Sequence, residues 1–130
     1  ESIMVDSHYR RLLVADEMEE HYKIAVLDLD TGEHINSTLE DFNFTEDPEG
    51  IALVSKGDNT GYWICTEQSK EDNRFHLFDR ESLEYIDSLY LEDIEYTDGI
   101  ATAYMHGNWY LYASDNDHRV GAFLLPEINH

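Results

Sequence analysis

The chain has 130 residues, 29 Asp plus Glu against 8 Lys plus Arg, a formal net charge of -21, and 42% hydrophobic with 12% aromatic residues. Nine Tyr, five Phe and two Trp supply the apolar surface for a packed core, which a disordered acidic tail lacks, so the sequence is expected to form one domain or a piece of a larger one. So large an excess of negative charge repels phosphate backbones and anionic lipid, which argues against direct nucleic-acid or membrane-surface binding. No apolar run approaches the roughly 18 residues of a spanning helix. Cys65 is the only cysteine, which excludes an intrachain disulfide and a zinc site built on paired thiolates.

In chain order, β-branched and aromatic runs broken by turn residues predict strands almost throughout. Residues 11–17 and 22–28 form the first pair, the former ending in Asp16 and Glu17. Met18, Glu19, Glu20 and His21 between them predict at most one helical turn. Asp30-Thr31-Gly32 is a turn signal, and Glu49-Gly50-Ile51-Ala52 opens an inner strand. The stretch Lys56-Gly57-Asp58-Asn59-Thr60-Gly61 turns the chain into residues 62–68, which end in Glu67 and Gln68, and residues 74–79 and 83–91 follow as outer strands. Asp98-Gly99-Ile100-Ala101 opens another inner strand, His106-Gly107-Asn108 turns it, residues 109–115 end at Asp115, and residues 119–124 close the series.

These elements repeat. With Asp16, Glu67 and Asp115 in register the steps are 51 and 48 residues, and the two Gly-Ile-Ala openings are 49 apart. Several short strands in each unit of about 40–50 residues predict an all-β chain of β-propeller blades. Three blades are expected, at approximately residues 1–46, 47–95 and 96–130, with no domain boundary between them. A propeller needs at least four blades to close. The others are expected from a second copy, another chain or further sequence, because an open wedge exposes apolar blade faces.

The acids fall at corresponding places in each unit. Asp47, Glu49 and Asp98 sit where inner strands begin, whereas Asp16 with Glu17, Glu67 with Gln68, and Asp115 with Asn116 sit where the adjacent antiparallel strands end. Those places share one end of the blade, so the carboxylates converge near the channel mouth, and a cation offsets their repulsion. An all-oxygen set suits a hard ion, calcium above magnesium. The alternative is that these acids are ordinary solvated turn residues. Histidine offers no metal spacing, no nucleophile elbow supports a Ser-His-Asp site, and Tyr104, Trp109, Tyr110 and Tyr112 are expected in core and interblade packing rather than in a ligand cage.

Leu13-Val14-Ala15-Asp16-Glu17, Asp47-Pro48-Glu49-Gly50-Ile51, Gly61-Tyr62-Trp63-Ile64-Cys65-Thr66-Glu67-Gln68, residues 75–80, Thr97-Asp98-Gly99-Ile100 and Leu111-Tyr112-Ala113-Ser114-Asp115 together resemble the β-propeller phytases, in the C-terminal half of that six-bladed family. The resemblance implies calcium ligands or calcium-bridging carboxylates at Glu17, Asp47, Glu49, Gln68, Asp98 and Asp115, with Glu17, Glu49 and Asp98 serving catalysis through bound calcium and water. It implies calcium-dependent hydrolysis of a phosphomonoester such as phytate and a secreted or periplasmic setting. Apart from the resemblance, Lys70 and Arg74 just after the acidic knot at Glu67 and Gln68 are candidate phosphate contacts by position, the alternative being a surface loop of mixed charge. Glu67 departs from the family, which has a small polar residue there, and Ser69 and Asn116 replace glycines. Most of the family's substrate-binding bases lie in the other half, so the isolated chain is expected to hold metal better than it turns over substrate, and to pair as a homodimer or with a complementary half. A non-catalytic calcium-binding propeller fragment and a lactonase-type propeller hydrolase are the competing readings; the Asp-x-Glu-Gly, Gln68 and Thr-Asp-Gly set favours the phytase.

Overall fold

Alternation along a strand sends successive side chains to opposite faces, and the runs above fold into three antiparallel sheets in a computed structural model that describes residues 2–16, 22–57, 59–68, 73–91 and 93–126. The first sheet has the order β1 (Ile3–Asp6), β2 (Arg11–Asp16), β3 (Lys23–Asp28). The second runs β4 (Pro48–Lys56), β5 (Thr60–Glu67), β6 (Arg74–Asp79), β7 (Tyr85–Tyr90), and the third is β8 (Ile100–Met105), β9 (Asn108–Asp115), β10 (Arg119–Leu124). No helix occurs among the described residues. The all-β, partial-propeller architecture is therefore present, with β1, β4 and β8 as the first strand of each sheet.

The second sheet is covered on both faces. Trp63 and Cys65 of β5 with Ile51 and Phe78 pack against Leu13, Ala15, Ile24 and Val26 of the first sheet, while Tyr62 and Ile64 with Val54, Phe75 and Leu77 pack against Leu111 and Ala113 of the third. Two-sided burial is why β5 reads as a continuous apolar run. Each large side chain so buried contributes about 1.5–3 kcal/mol. Leu39 and Phe44, from the connection between the first two sheets, close the first cluster. The outer faces of the first and third sheets stay open, with Ile3 61%, Val120 67% and Leu124 61% exposed.

Turns at one end of the strands share a device. Asp6, Asp28 and Asp79 each end a strand, and each carboxylate accepts the backbone N–H groups two and three residues on, at 2.8–3.3 Å, the Asx pattern that mimics a backbone turn. The turn between β8 and β9 has positive φ at both His106 (52°) and Gly107 (82°), the two-residue hairpin geometry that matches strand twist. These turns, with the one between β4 and β5, form what is here the hairpin end. β4 and β8 both start from the opposite, acidic end.

Two expectations need correction. β1 has no counterpart in the strands read from sequence, because four residues give too short an alternation to register. Tyr104 is not in a core: it is 62% exposed, near the tip of the β8 hairpin, with the Trp109 ring at a centroid distance of 5.6 Å. The helical turn expected at residues 18–21 lies outside the described residues.

Candidate functional site

The acidic end gathers its groups where β4 and β8 begin side by side. Pro48 pairs with Glu67 and Ile51 with Cys65, so Glu49 and Gly50 together oppose Thr66 alone. Such a bulge re-aims side chains at the rim of a sheet. It also brings the second and third sheets together at Gly50, where a Cβ would lie 2.8 Å from Ile100 Cγ1 and 3.1 Å from the Ile100 nitrogen. Only glycine admits that approach, and Glu49, 9% exposed, is carried to the seam with it.

Gln68 joins both sides of the seam. Its N–H donates to the Asp47 carbonyl at 2.9 Å, and its side-chain amide donates to the Asp98 carboxylate. Asp98 and Gly99 hold the third sheet's edge in turn, their N–H groups donating to Ser114 Oγ at 3.2 and 3.1 Å. Burial and then the neighbouring Asp117 carboxylate push the Asp98 pKa up. Asp47, Glu49, Gln68 and Asp98 are thus brought to one seam.

The other expected residues are placed differently. Asp115 ends β9 at the same end, but its carboxylate accepts the Glu95 N–H at 2.9 Å and the Arg119 guanidinium, and these hold it below the ordinary carboxylate range. Arg74 begins β6 at this end and is half-buried. Glu17 and Lys70 lie outside the described residues. Two participants were not read from sequence as parts of a site. Asp117 was hidden among turn acids, and His76 sits in an apolar strand where nothing marks it as paired with Glu67, 3.4 Å away.

Among the described residues no three His, Cys, Asp or Glu side chains converge closely enough to hold an ion by themselves. The chemistry of the donors nevertheless fits a hard cation: all are oxygens, and Asp98 with its raised pKa faces a second carboxylate rather than a base. The Asp47, Glu49, Gln68 and Asp98 oxygens are the donors that could hold calcium if it binds at this seam. A cavity of about 660 Å³ lies at the hairpin end instead, lined by Lys56, Tyr62, Tyr104 and Trp109 among others; it contains none of these acids. No helix among the described residues is long and apolar enough to cross a membrane.

A search of curated proteins finds no match to the chain. The family model described as Phytase matches residues 1–107, a span that holds the first two sheets, the bulge at Glu49 and the Asp98 edge of the third. With that match running over most of its length and the propeller-type sheets beneath it, this chain belongs to the phytase family.

Proposed function

We propose that the chain supplies about half of a calcium-dependent propeller that hydrolyses phosphate monoesters of the phytate type. The observation that carries this is the meeting of Asp47, Glu49, Gln68 and Asp98 at one seam in a member of the phytase family. When bound there, calcium supplies the positive charge that draws phosphate to an otherwise anionic surface and acidifies water. Gln68 orients the Asp98 carboxylate through its amide and fixes the Asp47 segment through its backbone. Glu17, Glu49 and Asp98 are the proposed catalytic carboxylates, acting through the calcium and water they would hold. Glu17 and Asp115 complete the proposed ligand set, and Lys70 and Arg74 the proposed phosphate contacts.

The open apolar faces of the first and third sheets support closure of the ring by further blades, from a second copy or from other sequence. Family membership supports a secreted or periplasmic setting. Calcium titration by calorimetry, with phosphate release from phytate assayed with and without the complementary blades, tests the proposal. Saturable calcium binding, and turnover that needs both calcium and the completed ring, are expected. Thermal melts in EDTA and in calcium that superimpose would sink it.

A further inference from the structure

Glu67 ends β5, immediately before Gln68. A carboxylate only 2% exposed is expensive to bury unless it is paired, and both its oxygens have partners. Oε1 accepts the Thr45 N–H at 2.7 Å, and Oε2 lies 3.4 Å from His76 Nε2. His76 is itself braced, with Nδ1 2.7 Å from Ser88 Oγ and its ring 4.8 Å from that of Phe42. One side chain therefore ties the end of β5 to β6 and to the segment that leads into Asp47. The next residue repeats the tie through the backbone, where Gln68 N–H meets the Asp47 carbonyl, and the bulge that carries Glu49 begins at Pro48, the residue paired with Glu67.

We infer that Glu67 is a positioning residue, which holds the Asp47 and Glu49 segment against Gln68 so that their oxygens are arranged for a divalent cation, without itself touching the ion. The inference rests on the calcium site proposed above. Both Glu67 oxygens already face Thr45 and His76, which leaves it behind the seam rather than in it. Groups that orient metal ligands from behind are typically worth about 10–100-fold in affinity, because they remove the ordering that binding would otherwise require.

Calcium dissociation constants of the wild type, Glu67→Gln and Glu67→Met, measured by calorimetry, test this. Glutamine keeps an oxygen for the Thr45 N–H; methionine keeps the volume without an acceptor. The glutamine variant is expected within about twofold of wild type and the methionine variant weaker by at least about tenfold. Methionine binding as tightly as wild type overturns the inference alone, and so does glutamine binding as weakly as methionine, which would make the charge the ligand. A wild type that binds no calcium overturns the proposed function and this role with it. Coupling between sites is reciprocal, so calcium must also slow hydrogen exchange of the Thr45 amide in the wild type by a comparable factor. An exchange rate indifferent to calcium refutes the positioning role even if the methionine variant does not fold.

Discussion

Replacing Asp6 with Ala should loosen the first sheet from the second more than any other single polar change. Asp6 is 1% exposed and Arg80 5%. The guanidinium donates Nε to Oδ2 at 2.9 Å and Nη2 to Oδ1 at 3.0 Å, and its Nη1 reaches Ser55 Oγ at 3.0 Å and the Thr60 carbonyl at 3.1 Å. β1 is thereby fastened to the hairpin of β4 and β5. Exposed ion pairs contribute about 0–1 kcal/mol, but removing one partner of a buried pair leaves an uncompensated charge and costs about 3–5 kcal/mol. Against a typical net stability of about 5–15 kcal/mol that is a large share. Urea unfolding followed by the fluorescence of buried Trp63 reads the loss, and a double change of Asp6→Leu with Arg80→Met should recover much of it, since no lone charge remains. Burial raises the Asp6 pKa, but the hydrogen bond from Arg80, then those from the Tyr9 and His8 N–H groups, outweigh burial and lower it overall. A depressed folded pKa means that the stabilisation is complete above the unfolded value of about 3.9 and is lost as pH falls through the folded value. The gap between wild type and Asp6→Ala should therefore hold from neutral pH to about 4 and shrink below. A gap under about 1 kcal/mol at neutral pH, the exposed-pair value, would refute the reasoning.

Gly50→Ala should destabilise by about 1–3 kcal/mol by overpacking, because its Cβ meets the Ile100 backbone as well as its side chain; equal stability in a thermal melt would show that the seam is slack. Gly61→Ala should be worse, since φ is +133° and its Cβ would stand 1.9 Å from the Val54 carbonyl oxygen, and a variant that folds with unchanged midpoint would count against this backbone. Cys65 is fully buried and burial pushes its thiol well up, so a thiol reagent should label it only at the rate of unfolding; immediate labelling of the native chain would contradict the core assignment.

The repeat was legible because its marks are local. Gly50 with Ile51 and Gly99 with Ile100 announce the inner strands, and Asp16, Glu67 and Asp115 sit where β2, β5 and β9 end. What sequence could not show was the pairing across distance. Arg80 is 74 residues from Asp6 and Gln68 is 30 from Asp98, and neither partner advertises the other. Glu67 stood out as an extra carboxylate, but its role depends on Thr45 and His76 being folded against it. Tyr104 misled because an aromatic in a strand reads as core whichever part of the sheet it occupies.

A strongly acidic chain poses one question at every strand end: whether an aspartate serves the turn or the site. At the hairpin end the turn claims it, since Asp6, Asp28 and Asp79 all spend their carboxylates on N–H groups of the following residues. At the acidic end Asp98 accepts from the Gln68 amide, but burial and then the facing Asp117 carboxylate outweigh that bond and raise its pKa, so its charge opposes folding. The two classes should respond oppositely. Asp28→Ala releases the N–H groups of Asp30 and Thr31, which should lower stability by roughly 0.5–1.5 kcal/mol and leave the calcium-induced shift intact. Asp98→Asn removes the repulsion, so it should raise the stability of the calcium-free chain and shrink the shift, which for a fully functional site is about 2.7 kcal/mol at a calcium concentration 100 times the dissociation constant. Because the folded pKa of Asp98 is raised, calcium-free wild type should lose stability as pH climbs from the unfolded carboxylate value through the folded one, and Asp98→Asn should be spared that part of the loss. If Asp98→Asn instead weakens the calcium-free chain and keeps the full calcium shift, Asp98 belongs with the turn aspartates, and the seam is structural.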